Sequence, residues 1–204
     1  MPSSVKRFYF DNHVFLVDEN VYEPAEDSFL FAENLELRAG ERVLDMGTGC
    51  GILGILAAEK AQEVVAVDVN PYAVRCTKDN ASLNNVRGKM AVVHGDLFMW
   101  LSEKAMFDVI LFNAPYLPAD DSEADSWIGR AWAGGASGRH VINRFISVVP
   151  KYLKRMGRVL LMQSTLANIN ETVDRFAEYH LNAEVVADRA LPFFETVVLI
   201  EARL

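Results

Sequence analysis

The chain has 204 residues, which at roughly 150 residues per domain makes one domain, or one domain with an appendage. Apolar residues make up 51% and charged residues 24%, a globular balance that excludes the disordered class. Lys and Arg total 20 against 28 Asp and Glu, and the net charge of −8 argues against a protein that coats nucleic acid by neutralising many phosphates, while leaving room for local contact.

In chain order, residues 6–18 alternate, with Phe8, Phe10, Val14 and Leu16 set against polar neighbours, and Asp11-Asn12 between them predicts a short hairpin. Pro24 suits a first helical position, Glu26 and Asp27 suit the positive end of the helix dipole, and Phe29, Leu30, Ala32 and Leu35 give a stripe to about 37. From Arg42 onward short apolar runs alternate with helical segments: strands over 42–46, 63–68, 89–94, 107–112 and 158–163, and helices over 51–60, 71–84, 138–153 (with Pro150 a natural stop) and 166–179. Strands over 183–186 and 196–201, joined by a loop, close the sheet as an antiparallel hairpin. Near-continuous Val/Ile/Leu runs between helices are the mark of a parallel sheet covered on both faces. The expected fold is therefore α/β: a doubly wound, mostly parallel seven-stranded sheet with an antiparallel C-terminal hairpin and a short N-terminal extension. The expected organisation is a single domain over 1–204, with hairpin and helix in 1–38 and a cofactor-binding core in 39–204.

No apolar run of signal-peptide type follows the N-terminus, and no stretch approaches the ~20 apolar residues of a membrane span. Cys50 and Cys76 form no C-x-x-C pair and the four histidines have no ligand spacing, so no metal site is expected and a reducing, cytoplasmic setting is.

Chemistry concentrates at strand ends. Between the first core strand and its helix lies Val43-Leu44-Asp45-Met46-Gly47-Thr48-Gly49-Cys50-Gly51, and Gly54 follows. Glycines here allow a tight turn and let the backbone approach a ligand. Two cofactor readings compete. Gly49 to Gly54 fits G-x-G-x-x-G, the dinucleotide fingerprint. Asp45 to Gly51 reads D-x-G-x-G-x-G, which resembles the first motif of class I methyltransferases, binders of S-adenosyl-L-methionine. Asp45 favours the second, because an acid at this junction is badly placed for a pyrophosphate and well placed for the methionine ammonium, directly or through water. Asp68, at the end of the second strand with Val69 beside it, can accept both hydrogen bonds of a ribose diol under either reading. Asp96, after the third strand, stands where an adenine amino group needs an acceptor, with Leu97 flanking the ring.

After the fourth strand comes Asn113-Ala114-Pro115-Tyr116. It resembles the N-P-P-Y motif of methyltransferases that modify planar nitrogens. An amide or arylamine nitrogen is a poor nucleophile because its lone pair is delocalised. The Asn113 side-chain oxygen can accept one of its N–H groups and the Ala114 carbonyl the other, while Tyr116 packs on the acceptor plane. Catalysis then rests on positioning and electrostatics, with no required general base. Ala114 replaces the first proline of the motif, so the carbonyl is kept, Pro115 restrains it, and the fixed φ at 114 is lost.

Three further segments narrow the resemblance. Tyr22-Glu23-Pro24-Ala25-Glu26-Asp27-Ser28 resembles the Y-E-P-A-E-D-[ST] segment of the HemK-related glutamine methyltransferases of eukaryotic and archaeal type; Asn113 to Tyr116 matches again; and Trp132-Ala133-Gly134-Gly135 with Gly138-Arg139 resembles their W-x-G-G-x-x-G-R stretch. The resemblance runs from about Tyr22 to the C-terminus. It implies a release factor glutamine N5-methyltransferase acting on the Gly-Gly-Gln loop of a class I peptide chain release factor, with S-adenosyl-L-methionine as cofactor. It places Ser28, Asp45, Gly47, Thr48, Gly49, Gly51, Asp68, Val69, Asp96, Leu97 and Asn113 at the cofactor. It places Asn113, Ala114, Pro115 and Tyr116 at the acceptor, with Asn113, Pro115 and Tyr116 catalytic. It also implies a small zinc-binding activator protein that pairs with an edge strand, here 89–93. The remainder of 117–131, with Asp120, Asp121, Glu123 and Asp125, reads as a mobile acidic loop at the mouth.

The competing functions are N6-adenine methylation of DNA or RNA, which shares the fourth-strand motif but needs a basic groove and usually a recognition domain; protein lysine methylation, where an ammonium must also lose a proton; NAD-dependent hydride transfer through Gly49 to Gly54; and a non-catalytic binding module, suggested by Ala114. Arg130, Arg139 and Arg144 are the basic residues through which RNA contact would run.

Overall fold

The computed structural model describes residues 5–102, 106–192 and 195–204. Residues 1–4, the start of the segment read for a targeting signal, and the side chain of Asp121 lie outside that description. Among the described residues no helix is long and apolar enough to cross a membrane.

The elements run β1 (Val5–Phe10), β2 (His13–Asp18), α1 (Glu26–Glu33), β3 (Arg42–Met46), α2 (Ile52–Ala58), β4 (Glu63–Asp68), α3 (Pro71–Leu83), β5 (Met90–His94), β6 (Phe107–Asn113), α4 (Trp127–Trp132), α5 (His140–Ile146), β7 (Leu153–Ser164), α6 (Ile169–Glu178), β8 (Asn182–Ala190) and β9 (Thr196–Arg203). Seven strands form one sheet in the order β5-β4-β3-β6-β7-β9-β8. The pairs from β5 to β7 are parallel, and β9 is antiparallel to both β7 and β8. That is the expected architecture, and its physical basis is plain in β3, β4 and β6. Val43, Leu44, Val64, Ala66, Val67, Val109, Ile110 and Leu111 are wholly buried, as strands sandwiched between helical layers must be.

The chain runs outward from β3 to β5 and then returns to β6 beside β3. This reversal opens a crevice at the carboxyl ends of β3 and β6, where ligands bind in open α/β sheets.

The N-terminal hairpin pairs Phe8 with Phe15, the rings 5.0 Å apart. The inward face of β2 is His13, Phe15 and Val17, not the expected Val14 and Leu16. The outer edge of β2 is covered by α3. Asn80 Oδ1 accepts from Leu16 N and its Nδ2 donates to Leu16 O, at 2.9 and 2.8 Å. Asn84 does the same to Val14, at 3.0 and 2.8 Å. Two amides one helical turn apart thus act as a further strand and satisfy the free edge of β2.

Three other expectations are revised. Pro24 precedes α1 rather than opening it; Ala25 is the N-cap, and Asn34, whose Nδ2 donates to Leu30 O at 2.8 Å, ends the helix at Glu33. The helix expected over 138–153 stops at Ile146, and Pro150 sits in a separate tight turn, Val149–Tyr152. The acidic stretch is not a bare loop: it holds a turn of helix at Asp121–Ala124, closed by an Asp120–Glu123 capping box, followed by α4.

Candidate active site

A cavity of about 600 Å³ occupies the crevice. Its wall is supplied by the segment before α1 (Tyr22, Pro24), α1 itself (Asp27, Ser28), the β3–α2 loop (Gly47, Thr48, Gly49), the end of β4 (Asp68, Val69), the β5 turn (Asp96, Leu97) and the end of β6 (Asn113 to Leu117), with α4 and Arg144 at the rim.

The glycine loop is shaped by three residues at positive φ, Gly47 (+66°), Gly49 (+58°) and Gly51 (+90°). A Cβ on Gly49 would meet no protein atom within 4 Å, so the loop leaves open space on the cavity side. Asp68 closes the loop, its Oδ2 accepting from Gly49 N at 2.9 Å and its Oδ1 from Asn70 N at 2.8 Å.

Asp45 and Gly51 stand behind this wall rather than in it. The Asp45 carboxylate is 1% exposed and accepts from Thr48 Oγ1 at 2.6 Å and Gly54 N at 3.0 Å. Its position in the strand directs it under the loop, where it joins the turn to the first residues of α2. Burial pushes its pKa up to about 7 against the pull of those two hydrogen bonds. A Cβ on Gly51 would lie 3.0 Å from Thr77 Cγ2, so this glycine allows α3 to pack against the loop.

At the other end of the cavity, one carboxylate that sequence reasoning took only as a helix-dipole partner organises the site. Asp27 is 6% exposed. Its Oδ1 accepts from Ser28 N at 2.7 Å and lies 3.4 Å from Tyr22 Oη; its Oδ2 accepts from Asn113 Nδ2 at 3.0 Å and Tyr116 Oη at 3.3 Å. Burial, reinforced by the charge of Asp27, raises both phenol pKa values well above the usual tyrosine range, so each stays an O–H donor. A carboxylate only accepts, so Asn113 must turn its amide nitrogen to Asp27. Its Oδ1 is then left buried in the cavity wall without a partner. An orphaned buried acceptor costs about 1–3 kcal/mol unless something donates to it.

The segment Asn113 to Leu117 is held from outside. Leu117 N donates to Trp132 O at 2.9 Å, Gly134 N to Leu117 O at 2.8 Å and Ala119 N to Gly135 O at 3.1 Å. The approach is too close for side chains: a Cβ on Gly134 would lie 2.4 Å from Gly138 O, and one on Gly138 would lie 2.2 Å from Tyr116 O. Arg139, 3% exposed, donates to Ala167 O, Asn168 O and Thr172 Oγ1. It is therefore a buried structural cation with nothing left for RNA. The W-A-G-G and G-R residues are a clamp on the Asn113 segment, and Ala114, 3% exposed, is fixed by packing where a proline ring would have fixed it.

The rim carries what the sequence concealed. The Arg130 guanidinium lies over the Trp127 ring at 5.0 Å, and Arg144 Nη2 reaches Asp96 Oδ2 at 2.6 Å. Helical spacing of Trp127, Ile128 and Ala131 inside an acid-rich run was the available signal for α4.

Comparison with known proteins fits this geometry. The family model described as ribosomal protein L11 methyltransferase (PrmA) matches residues 28–114, from Ser28 to the Asn113 segment. A relative in Methanocaldococcus jannaschii, named "Putative protein N5-glutamine methyltransferase", is 43% identical over 186 residues, covering 90% of this chain and 92% of that protein. The chain belongs to the protein N5-glutamine methyltransferase family. Within it, the methyltransferase HEMK2 of Homo sapiens is 36% identical over 155 residues, covering 70% of this chain and 71% of its own. Among solved structures, the Mtq2 chain type appears in the E. cuniculi Mtq2–Trm112 complex, described as responsible for the methylation of the eRF1 translation termination factor. It aligns with a TM-score of 0.69 and 25% identity over 90% of this chain and 98% of its own.

Proposed function

We propose that this family member is a cytoplasmic enzyme that transfers a methyl group from S-adenosyl-L-methionine to the side-chain amide nitrogen of a glutamine in a class I peptide chain release factor. The observation that carries the reading is Asn113 in the cavity wall, its Nδ2 held by Asp27 and its buried Oδ1 left without a partner. It asks for an N–H donor, and a carboxamide supplies one.

The residues present fit the cofactor. The Gly47–Gly49 turn leaves backbone-lined space, Asp68 stands at the loop for the ribose, and Asp96 and Leu97 line the far end for adenine. When bound, the cofactor supplies an electrophilic methyl on a sulfonium. Asn113 Oδ1 takes one amide N–H of the acceptor and the Ala114 carbonyl takes the other, which turns the nitrogen toward the donor. Both acceptors strengthen as positive charge develops on that nitrogen, so they favour the transition state over the ground state. Tyr116, held by Asp27, packs on the acceptor plane. The nitrogen loses its proton to solvent once the C–N bond has formed.

Asp45 acts through the loop, holding Thr48 and Gly54 so that the turn keeps its shape. A small activator pairs along β5, one of the two edge strands of the sheet. The contact strand is Met90–His94; Lys89 lies before it and sends its Nζ to Ala58 O at 2.9 Å. The net charge of −8 suits a basic, ribosome-associated protein substrate better than a nucleic acid.

The test is label transfer from S-adenosyl-L-methionine to a release factor, with and without replacement of the glutamine in its Gly-Gly-Gln loop. Label on the intact factor alone supports the reading. Equal label on the replaced factor, or label on naked DNA or RNA instead, overturns it.

A further inference from the structure

The nucleoside end of the cavity is unusually constrained. Leu97 adopts a φ of +46°, a left-handed conformation that a branched side chain resists. Two contacts hold it there. Trp100 Nε1 donates to Leu97 O at 2.7 Å, and Gly95 lies so close under the indole that a Cβ would stand 2.5 Å from Trp100 Cδ1. The backbone of the turn is thereby fixed, and the Asp96 side chain is the part still free to rotate. Arg144, from α5, holds it: Nη2 meets Asp96 Oδ2 at 2.6 Å across 48 residues of sequence. Both side chains are roughly 40% exposed and both line the cavity, at 42% and 41%. As an isolated surface pair this bond would be worth under about 1 kcal/mol. Its use is orientation.

We propose that Arg144 is a positioning residue that sets the base specificity of the cofactor site, by engaging Asp96 Oδ2 and leaving Oδ1 as a fixed acceptor for an exocyclic amine. The proposal rests on the cofactor reading above. The chemistry is one of sign. A 6-amino purine presents an N–H donor to that oxygen. A 6-oxo purine presents a lone pair, and acceptor then faces acceptor. A carboxylate free to rotate could withdraw from that repulsion, and the Arg144 guanidinium, released from Asp96, could donate to the oxo group. Pairing the two removes both escapes at once, which is discrimination by a built-in repulsion as well as by an attraction.

The test compares binding by calorimetry of S-adenosylhomocysteine and S-inosylhomocysteine, which differ only in amine against oxo, to the wild type, Arg144→Gln and Arg144→Lys. Wild type is expected to prefer the amino ligand by about 10–100-fold, the range for a hydrogen bond replaced by an unpaired polar group. In Arg144→Gln the preference should collapse to within about threefold, chiefly through weaker amino and stronger oxo binding, while Tm stays near wild type. Arg144→Lys, which keeps a donor for Oδ2, should restore most of the preference. A preference unchanged in Arg144→Gln overturns the proposal, as does an equal loss of both ligands, which would mark Arg144 as merely structural. A wild type that binds neither ligand overturns the cofactor reading itself, an outcome distinct from binding with unaltered preference.

Discussion

Asn113 and Asp27 are 86 residues apart in sequence and 3.0 Å apart in space. The place of Asn113 in the cavity wall was legible, because the strand end dictates it. The contact of Asp27 with Asn113 was not, because a carboxylate in the first turn of a helix already has a local explanation in the dipole. Replacing Asp27 with Asn removes the acceptor-only group that fixes the Asn113 amide. A hydrogen bond to a charged group is worth about 1.5–3 kcal/mol, so kcat should fall about 10–100-fold with cofactor affinity nearly unchanged; a fall in cofactor affinity alone would contradict this. Asp45 makes a prediction in pH. Its carboxyl titrates at about 7 in the folded chain and near 3.9 when unfolded. Between these values the folded state holds more protons, so this residue makes stability fall as pH rises from about 4 to about 7 and then level off. Asp45→Asn lacks that slope, and its Tm relative to wild type should climb between pH 5 and pH 8. A constant difference would show that the carboxyl is ionised throughout.

At the scale of elements, β3, β4 and β6 were readable to within a residue, since they are continuous apolar runs bounded by polar residues, whereas β7 starts at Leu153, five residues before the expected 158, and β8 runs on to Ala190, four past the expected 186. The buried face of β2 was not readable, because both of its faces carry apolar side chains, Val14 and Leu16 on one and Phe15 and Val17 on the other. The W-A-G-G and G-R residues were visible as a motif, but their purpose needed three dimensions. They let two backbones approach within hydrogen-bond distance at Leu117. Gly138→Ala introduces a Cβ 2.2 Å from Tyr116 O at a φ of +71°. It should cost at least about 1–3 kcal/mol in denaturant unfolding and displace Tyr116, lowering activity beyond what the stability loss explains. Full activity with wild-type stability would remove the clamp from the account.

For the whole molecule, the strand reversal between β3 and β6 gathers the Gly47 turn, Asp68, Asp96 and Asn113 at one rim, which is why motifs spread along the chain converge. The same topology leaves β5 at one edge of the sheet, with β8 at the other. A small zinc-binding partner that pairs there should slow amide hydrogen exchange over Met90–His94, and exchange unchanged in that strand while the partner is bound would place the contact elsewhere. The central claim, that the orphaned Asn113 oxygen orients the acceptor amide, is tested most directly by single-turnover methyl transfer to the release factor by Asn113→Ala, measured beside its affinity for S-adenosylhomocysteine. The account predicts transfer slowed by at least about 100-fold with affinity within about twofold of wild type. Transfer within tenfold of wild type would contradict it.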